Sequence, residues 1–292
     1  MDTERFHRQI LLFGPEGQKK IAATRAAIVG VGGTGSHIVQ QLAYLGVRQF
    51  QLIDADIVTP TSLNRLIGAL PADIAARTPK VHVAERLIRG IDPSLAVNVV
   101  ADTFVSRLGA AALEEANVVF GCVDTDGARL LLTEWATAFD RPYLDVATDT
   151  LPDGDFGGRL VVSVAGGGCP YCMDELDQEA IHRSLAPPER RDEEDALYGV
   201  PRSALAEHGP SVVCLNGVLA SLAVMEFIIL VTGHLRKPKA LQRYHGRKGI
   251  VTTLAEQPPE QQRPCPYCSK RGTADRAEWM RHVRAGLGKW VR

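Results

Sequence analysis

Residues 26–35, AAIVGVGGTG, carry the fold. AAIVGV is a short apolar run that ends in glycines, and behind it Ile38, Val39, Leu42, Ala43 and Leu45 recur at helical spacing. The order is therefore strand, glycine-rich turn, helix. The next apolar run, Phe50 to Ile53, ends at Asp54 and closes a βαβ unit of about thirty residues, the size such a unit needs. A crossover of this kind predicts a parallel sheet.

The alternation continues outward. Val81, Ala84, Leu87, Ile88 and Ile91 read as a helix, and Val97 to Val100 as a strand. A helix at Val105 to Ala116, a strand at Val118 to Cys122, a helix at Ala128 to Phe139 and a strand at Tyr143 to Val146 follow. This is an α/β chain with a Rossmann-like, doubly wound sheet, parallel in its N-terminal half. After about residue 150 the rhythm changes: Gly158 to Ala165, Leu241 to His245 and Ile250 to Leu254 read as strands without regular intervening helices. They predict an antiparallel C-terminal extension of the same sheet rather than a second domain. Met173 to Pro210 is polar, with Pro187, Pro188 and Pro201, and reads as a long loop, of a length expected only where a loop is functional or mobile. Leu215 to Val231 reads as one long buried helix, and residues 255–264 as a linker.

Composition excludes several classes. Among 292 residues, 33 basic and 34 acidic side chains nearly cancel, which leaves no polybasic field for nucleic acid or an acidic membrane. The N-terminus MDTERFHRQI is charged where a signal peptide is apolar, and the longest apolar run is broken by Ser221 and Glu226. A cytoplasmic location, with no membrane and no nucleic-acid partner, is expected.

Gly30, Gly32, Gly33 and Gly35 form a GxGxxG turn between strand and helix, where backbone N–H groups can face a phosphate. Asp54, at the end of the second strand, is placed to accept from ribose hydroxyls. The turn alone does not separate NAD from ATP. The surrounding charges do: Arg5, Arg8 and Gln9 precede the first strand, Asn64 and Arg65 follow the second, and Lys80 opens the next helix. Cations around a nucleotide can stabilise attack on the α-phosphate and the departing pyrophosphate. Asp124, past the Val118 to Cys122 strand, lies where ligands bind in open α/β sheets and could hold Mg²⁺.

Arg5-Phe-His-Arg8-Gln9-Ile-Leu-Leu-Phe-Gly14, IVGVGGTGS (28–36), LIDAD (52–56), SLNRL (62–66), TPK (78–80) and Val123-Asp124 with Arg129 occur in this order. In these motifs the chain resembles the E1-like ThiF/MoeB/HesA adenylyltransferases, over roughly residues 4–254 plus the paired cysteines. The resemblance implies ATP- and Mg²⁺-dependent adenylation of a C-terminal carboxylate on a small β-grasp, ubiquitin-like carrier protein; some members act on a peptide or small carboxylate instead. It places Gly32, Gly33 and Gly35 at the triphosphate, Asp54 at the ribose with Asp56 beside it, Asn64, Arg65 and Lys80 at the phosphates, and Asp124 at magnesium. Arg129 belongs to the last motif and is counted with the nucleotide site. The resemblance also implies a homodimer in which Arg8 reaches the partner's site. Residues 1–254 would be the adenylation domain with 173–210 as its crossing loop, and 255–292 a linker, second knuckle and tail. Ser62 and Leu66 depart from the family's usual asparagine and glutamine.

Cys169-Pro-Tyr-Cys172 and Cys265-Pro-Tyr-Cys268 share one inner sequence, and four thiolates on one tetrahedral ion make a closed structural Zn²⁺ site. Two redox pairs are the alternative, but neither lies in a thioredoxin-like context. Cys122 reads as a buried small hydrophobe. Cys214 falls just before the long helix, where a helix N-terminus lowers a thiol's pKa, yet its setting SVVCLNGVLAS is apolar and predicts burial. Residues 173–213 contain no cysteine, so no obligatory thioester to this chain is expected. The eight histidines show no metal-binding spacing. ERRDEED (189–195) reads as a solvated loop face, and 277–291 as an amphipathic tail that packs on the body or a partner. Two other functions fit less well. A catalytically silent scaffold would have lost Arg65, Lys80 or Asp124, and an NAD-dependent oxidoreductase gives no reason for the cations.

Overall fold

In the computed structural model, residues 4–150, 155–186, 211–233, 236–254, 264–273 and 281 are described. Eight strands make one sheet in the order β3-β2-β1-β4-β5-β6-β7-β8. They are β1 (Arg25–Val29), β2 (Gln49–Ile53), β3 (Ala96–Val100), β4 (Val118–Gly121), β5 (Tyr143–Thr150), β6 (Phe156–Ser163), β7 (Leu241–His245) and β8 (Ile250–Leu254). The pairings from β3 through β5 are parallel. Those from β5 through β8 are antiparallel, so the C-terminal strands extend the same sheet.

Strands β1 and β4 are buried almost throughout, as central strands covered on both faces must be. On one face lie α2 (Gly33–Leu45), α4 (Lys80–Ile91) and α8 (Val213–Thr232); their apolar side chains pack with Ile28, Leu52, Phe120 and Leu160. On the other lie α5 (Arg107–Glu115) and α6 (Asp126–Ala138), packed with Val29, Val119 and Tyr143 around Trp135. Helix α8 is long and apolar enough to cross a membrane by length and composition, yet more than half of it is buried in this core. Its buried Glu226 accepts from Arg236, from the Lys239 amide at 2.9 Å and from Gln242 of β7. These bonds anchor the helix to the sheet extension.

Three helices were not anticipated from the sequence. Helix α1 (His7–Ala22) carries the N-terminal arginines and is interrupted at Gly14, whose φ of +75° precedes Pro15. That break hides the helical period. Within the supposed loop 173–210 lies α7 (Gln178–Leu185), capped by the Asp177 carboxylate on the Glu179 and Ala180 amides. Only Ile181 in it is buried, so its apolar signal is faint. A short helix, α3 (Pro71–Ala75), precedes α4. The rest of the crossing loop (187–210) with ERRDEED, residues 255–263 of the linker, and the tail from 274 on except Arg281 lie outside the described residues.

Candidate active site

The C-terminal ends of β1, β2, β4 and β5 open onto a cleft of about 1240 Å³, the edge at which open α/β sheets bind ligands. Gly30, Gly32 and Gly33 form one wall. Gly30 has φ +84°, and a Cβ there would sit 2.5 Å from the Cys122 carbonyl oxygen, so only glycine permits β1 and β4 to approach this closely. A Cβ on Gly33 would lie 2.1 Å from Nδ2 of Asn216. Asn216, fully buried on α8, also accepts from Thr34 Oγ1 at 3.3 Å and donates to Ser211 Oγ at 3.2 Å. The first turn of α8 is thus fitted against the glycine loop. Gly35 lies further into α2, against the Gly30 carbonyl.

Asp54 terminates β2. Its Oδ2 accepts from the Val31 amide at 2.6 Å and its Oδ1 from the Asp56 amide at 2.8 Å, which fixes the carboxylate beside the glycine turn. Burial pushes its carboxyl up, opposed by Lys80 and these amides. Lys80 follows Pro79 at the start of α4 and pairs with Asp56 at 2.8 Å; the Lys80 amide also donates to the Asp56 carbonyl at 2.9 Å. Arg65 is held at the cleft by the Thr61 carbonyl, 2.6 Å from Nη1.

Across the cleft, the turn after β4 presents Asp124 and Asp126. Arg129, one turn along α6, is buried. Its Nη1 donates to Asp145 Oδ1 at 2.9 Å and to the Val146 carbonyl at 3.2 Å, and its Nη2 to the Val123 carbonyl. It borders the cleft but is committed to holding the Asp124 turn against β5.

The charges continue along the sheet. Asp145 Oδ2 accepts from Arg159 Nη1 at 2.6 Å, and Tyr143 donates to Asp145 Oδ1 at 2.8 Å. Arg159 Nε lies 3.0 Å from Glu175 Oε2, and Arg243 pairs with Glu175 Oε1. Burial would raise the Asp145 carboxyl, but Arg129 and Arg159 overcome it and hold it below the usual range. Glu175 is shifted up by burial despite its two arginines. The sequence reading missed this chain because its members come from β5, β6, β7 and the turn before α7, separated too widely for any local pattern. Single basic residues in strands facing a buried layer were the available signal.

Not every expected residue borders the cleft. Asn64 and Arg8 are exposed outside its walls, Arg8 on α1.

The second cluster is metal-like. Cys169 Sγ lies 3.7 Å from Cys172 Sγ and 3.8 Å from Cys265 Sγ, and Cys172 Sγ lies 3.9 Å from Cys268 Sγ. All four sulfurs fall within 4.8 Å of one another, and none forms a disulfide. A zinc–sulfur bond of about 2.3 Å puts the corners of a regular tetrahedron about 3.8 Å apart, so the thiol set fits a tetrahedral ion. Tyr171 and Tyr267 meet edge to face across the two knuckles. Burial pushes the Cys122 thiol up to about 12. Cys214 is exposed, contrary to the apolar reading of its neighbours: as the second residue of α8 it projects from the helix end, ahead of the buried Leu215 and Asn216.

Comparison with known proteins settles the ancestry of this arrangement. Residues 6–269 match the ThiF family. The chain belongs to the ThiF family. Among its relatives, the sulfur carrier protein ThiS adenylyltransferase of Escherichia coli (strain K12) is 27% identical over 91% of this chain and 95% of its own length. The molybdopterin-synthase adenylyltransferase of the same organism is 29% identical over 79% and 82%. The SAMP-activating enzyme E1 of Haloferax volcanii is 28% identical, over 58% of this ThiF-family chain and 61% of its own length. The fold is shared with the microcin C7 biosynthetic enzyme MccB, solved with N-formylated MccA: TM-score 0.72 at 18% identity, covering 91% of this chain and 75% of that one.

Proposed function

We propose that this ThiF-family chain catalyses ATP-dependent adenylation of a carboxylate, namely the C-terminal glycine of a ubiquitin-like or sulfur-carrier protein. The observation that carries this reading is the convergence of Gly30 to Gly33, Asp54, Arg65, Lys80 and Asp124 on one cleft from separate stretches of chain. A carboxylate oxygen of the carrier attacks the α-phosphorus of ATP. The bond from that phosphorus to the bridging oxygen of the β-phosphate breaks, and pyrophosphate leaves with the electron pair. Acyl-adenylate is the product.

Gly32 and Gly33 receive the phosphates on backbone amides, and Asp54 accepts from the ribose. Lys80 and Arg65 supply charge to the transition state and leaving group, where each cation is worth more than in water. Asp124 and Asp126 offer the hard oxygen donors that Mg²⁺ takes, and that ion would neutralise phosphate charge. Arg129 orients the Asp124 turn. Arg8, outside the cleft of its own chain, is assigned to the partner's site in a homodimer.

The four cysteines hold one structural Zn²⁺ with no open coordination position. A reducing, cytoplasmic setting suits four free thiols in such a set. The Cys122 thiol is pushed up to about 12 and the crossing loop 173–210 holds no cysteine, so the acyl-adenylate is passed on without an obligatory thioester to this chain.

ATP–pyrophosphate exchange with small candidate carriers ending in Gly-Gly tests the reading. Exchange that depends on the carrier's C-terminal carboxylate is expected. No exchange with any carrier, together with no binding of Mg-ATP, would overturn it.

A further inference from the structure

The cleft has a second arm. Beyond Asp124 it runs past Val146 to Thr148 of β5 and Gly158 and Arg159 of β6 to Arg243 of β7, where Glu175 and Ser211 complete the wall. Arg159 and Arg243 are register partners on adjacent strands, with Ala147 opposite Arg159 on β5. Side chains at such positions share one face of the sheet. This arm contains no part of the glycine turn and none of the phosphate-facing cations.

The two arginines are not equivalent. Arg159 is buried and fully engaged: Nη1 with Asp145, Nε with the Glu175 carboxylate and Nη2 with the Glu175 carbonyl. Arg243 keeps about a third of its side chain exposed and directs Nη2 to Glu175 Oε1. A guanidinium has five N–H donors, so its wider fork is open to the cleft. Asp145, Glu175 and Asp126, the last 3.6 Å from Arg129, balance the three guanidiniums of Arg129, Arg159 and Arg243 in charge. Among these three arginines, Arg243 is the one most exposed to the cleft.

We propose that Arg243 is a specificity-determining residue that binds an acidic side chain in the tail of the acyl substrate, upstream of the reacting carboxylate. This rests on the adenylation reading for its reaction but not for its binding. Strands β4 and β7 are three strand spacings apart, about 14 Å. An extended tail covers about 3.4 Å per residue. With the reacting carboxylate at the end of β4 and the arginine reaching back, the acidic residue falls about two to four positions before the terminus. Glu175 and Arg159 act as the mount that aims the Arg243 fork.

The test uses the full chain and fluorescein-labelled nonapeptides ending in Gly-Gly, with Asp, Gln or Lys at the third, fourth or fifth position from the terminus. Fluorescence anisotropy without nucleotide should show one Asp peptide binding about tenfold more tightly than its Gln counterpart, with Lys weakest, and the gap should shrink with salt. Arg243→Gln should erase the gap while leaving the Gln peptides' binding unchanged, and Arg243→Lys should keep part of it; thermal melting verifies that both variants fold. Equal binding of Asp and Gln peptides at all three positions, a gap that survives Arg243→Gln, or no binding by any peptide would overturn the proposal. Pyrophosphate exchange on the same peptides separates the two ideas. Exchange without acidic preference sinks the Arg243 subsite alone, whereas acidic preference in binding with no exchange counts against adenylation alone.

Discussion

Arg129 and Asp145 meet at 2.9 Å inside the protein, and the same guanidinium holds the Val123 carbonyl, one residue before Asp124. A buried pair thus fixes both the β5 end and the turn that carries a site carboxylate. Arg129→Leu leaves Asp145 short of a partner and should cost about 3–5 kcal/mol. Urea denaturation measures this; a loss below about 1 kcal/mol would show that Arg159 and Tyr143 satisfy Asp145 unaided.

Asp124→Ala should abolish AMP formation while leaving the melting curve intact, because an exposed turn carboxylate contributes little to packing. Mixing this variant with Arg8→Ala should restore part of the activity if Arg8 completes the neighbouring site. Absence of rescue after proven subunit exchange would remove Arg8 from the mechanism.

Elemental analysis should find one zinc per chain. Chelation, or Cys172→Ser, should lower thermal stability more than it lowers initial turnover at low temperature. Metal-free protein with unchanged stability would contradict a structural ion.

Asp73 accepts both Nη atoms of Arg86, at 3.0 and 2.7 Å, and the Leu70 amide at 2.8 Å. The Arg86 hydrogen bonds hold its carboxyl at about 2, below the ordinary 3.8. The folded value is the lower one, so the stabilisation is complete above the unfolded pKa and is lost as pH falls through the folded value. The stability gap between the protein and Asp73→Asn should be constant at neutral pH and shrink between about pH 4 and 2. A gap independent of pH in that window would refute the assignment.

Cys214 is the one exposed sulfur at a helix N-terminus among the described residues. Cys214→Ala should retain carrier-dependent AMP formation and transfer. A thiol-sensitive carrier adduct on a non-reducing gel that vanishes in this variant would reverse the no-thioester conclusion.

The parallel half of the sheet was legible because β1, the glycine turn and α2 switch from an unbroken apolar run to helical spacing within twenty residues, and Gly30 marks the switch. The antiparallel strands were legible as short apolar runs, β5 and β6 and again β7 and β8 following one another with no helix between. Helix α1 was not, because Gly14 and Pro15 cut its period in two, and α7 was not, because its single buried residue gives no stripe. In the site, motif residues such as Asp54 and Lys80 announced themselves by position after strand or turn. Asp145, Arg159, Glu175 and Arg243 did not, since only the register of β5, β6 and β7, with the turn before α7 folded over them, brings them together. The exposure of Cys214 was misread for a related reason: apolar neighbours in sequence point to different sides of a helix.

The two cysteine knuckles, 96 residues apart, have a topological consequence. Once bridged by a common ion they close the intervening chain into a ring that contains α7, α8 and the β7–β8 hairpin. A protease cut anywhere in that ring, including within 187–210, would leave two fragments still clasped at the thiolates. A nicked molecule would then part into separate pieces only when both the clasp and the sheet are undone.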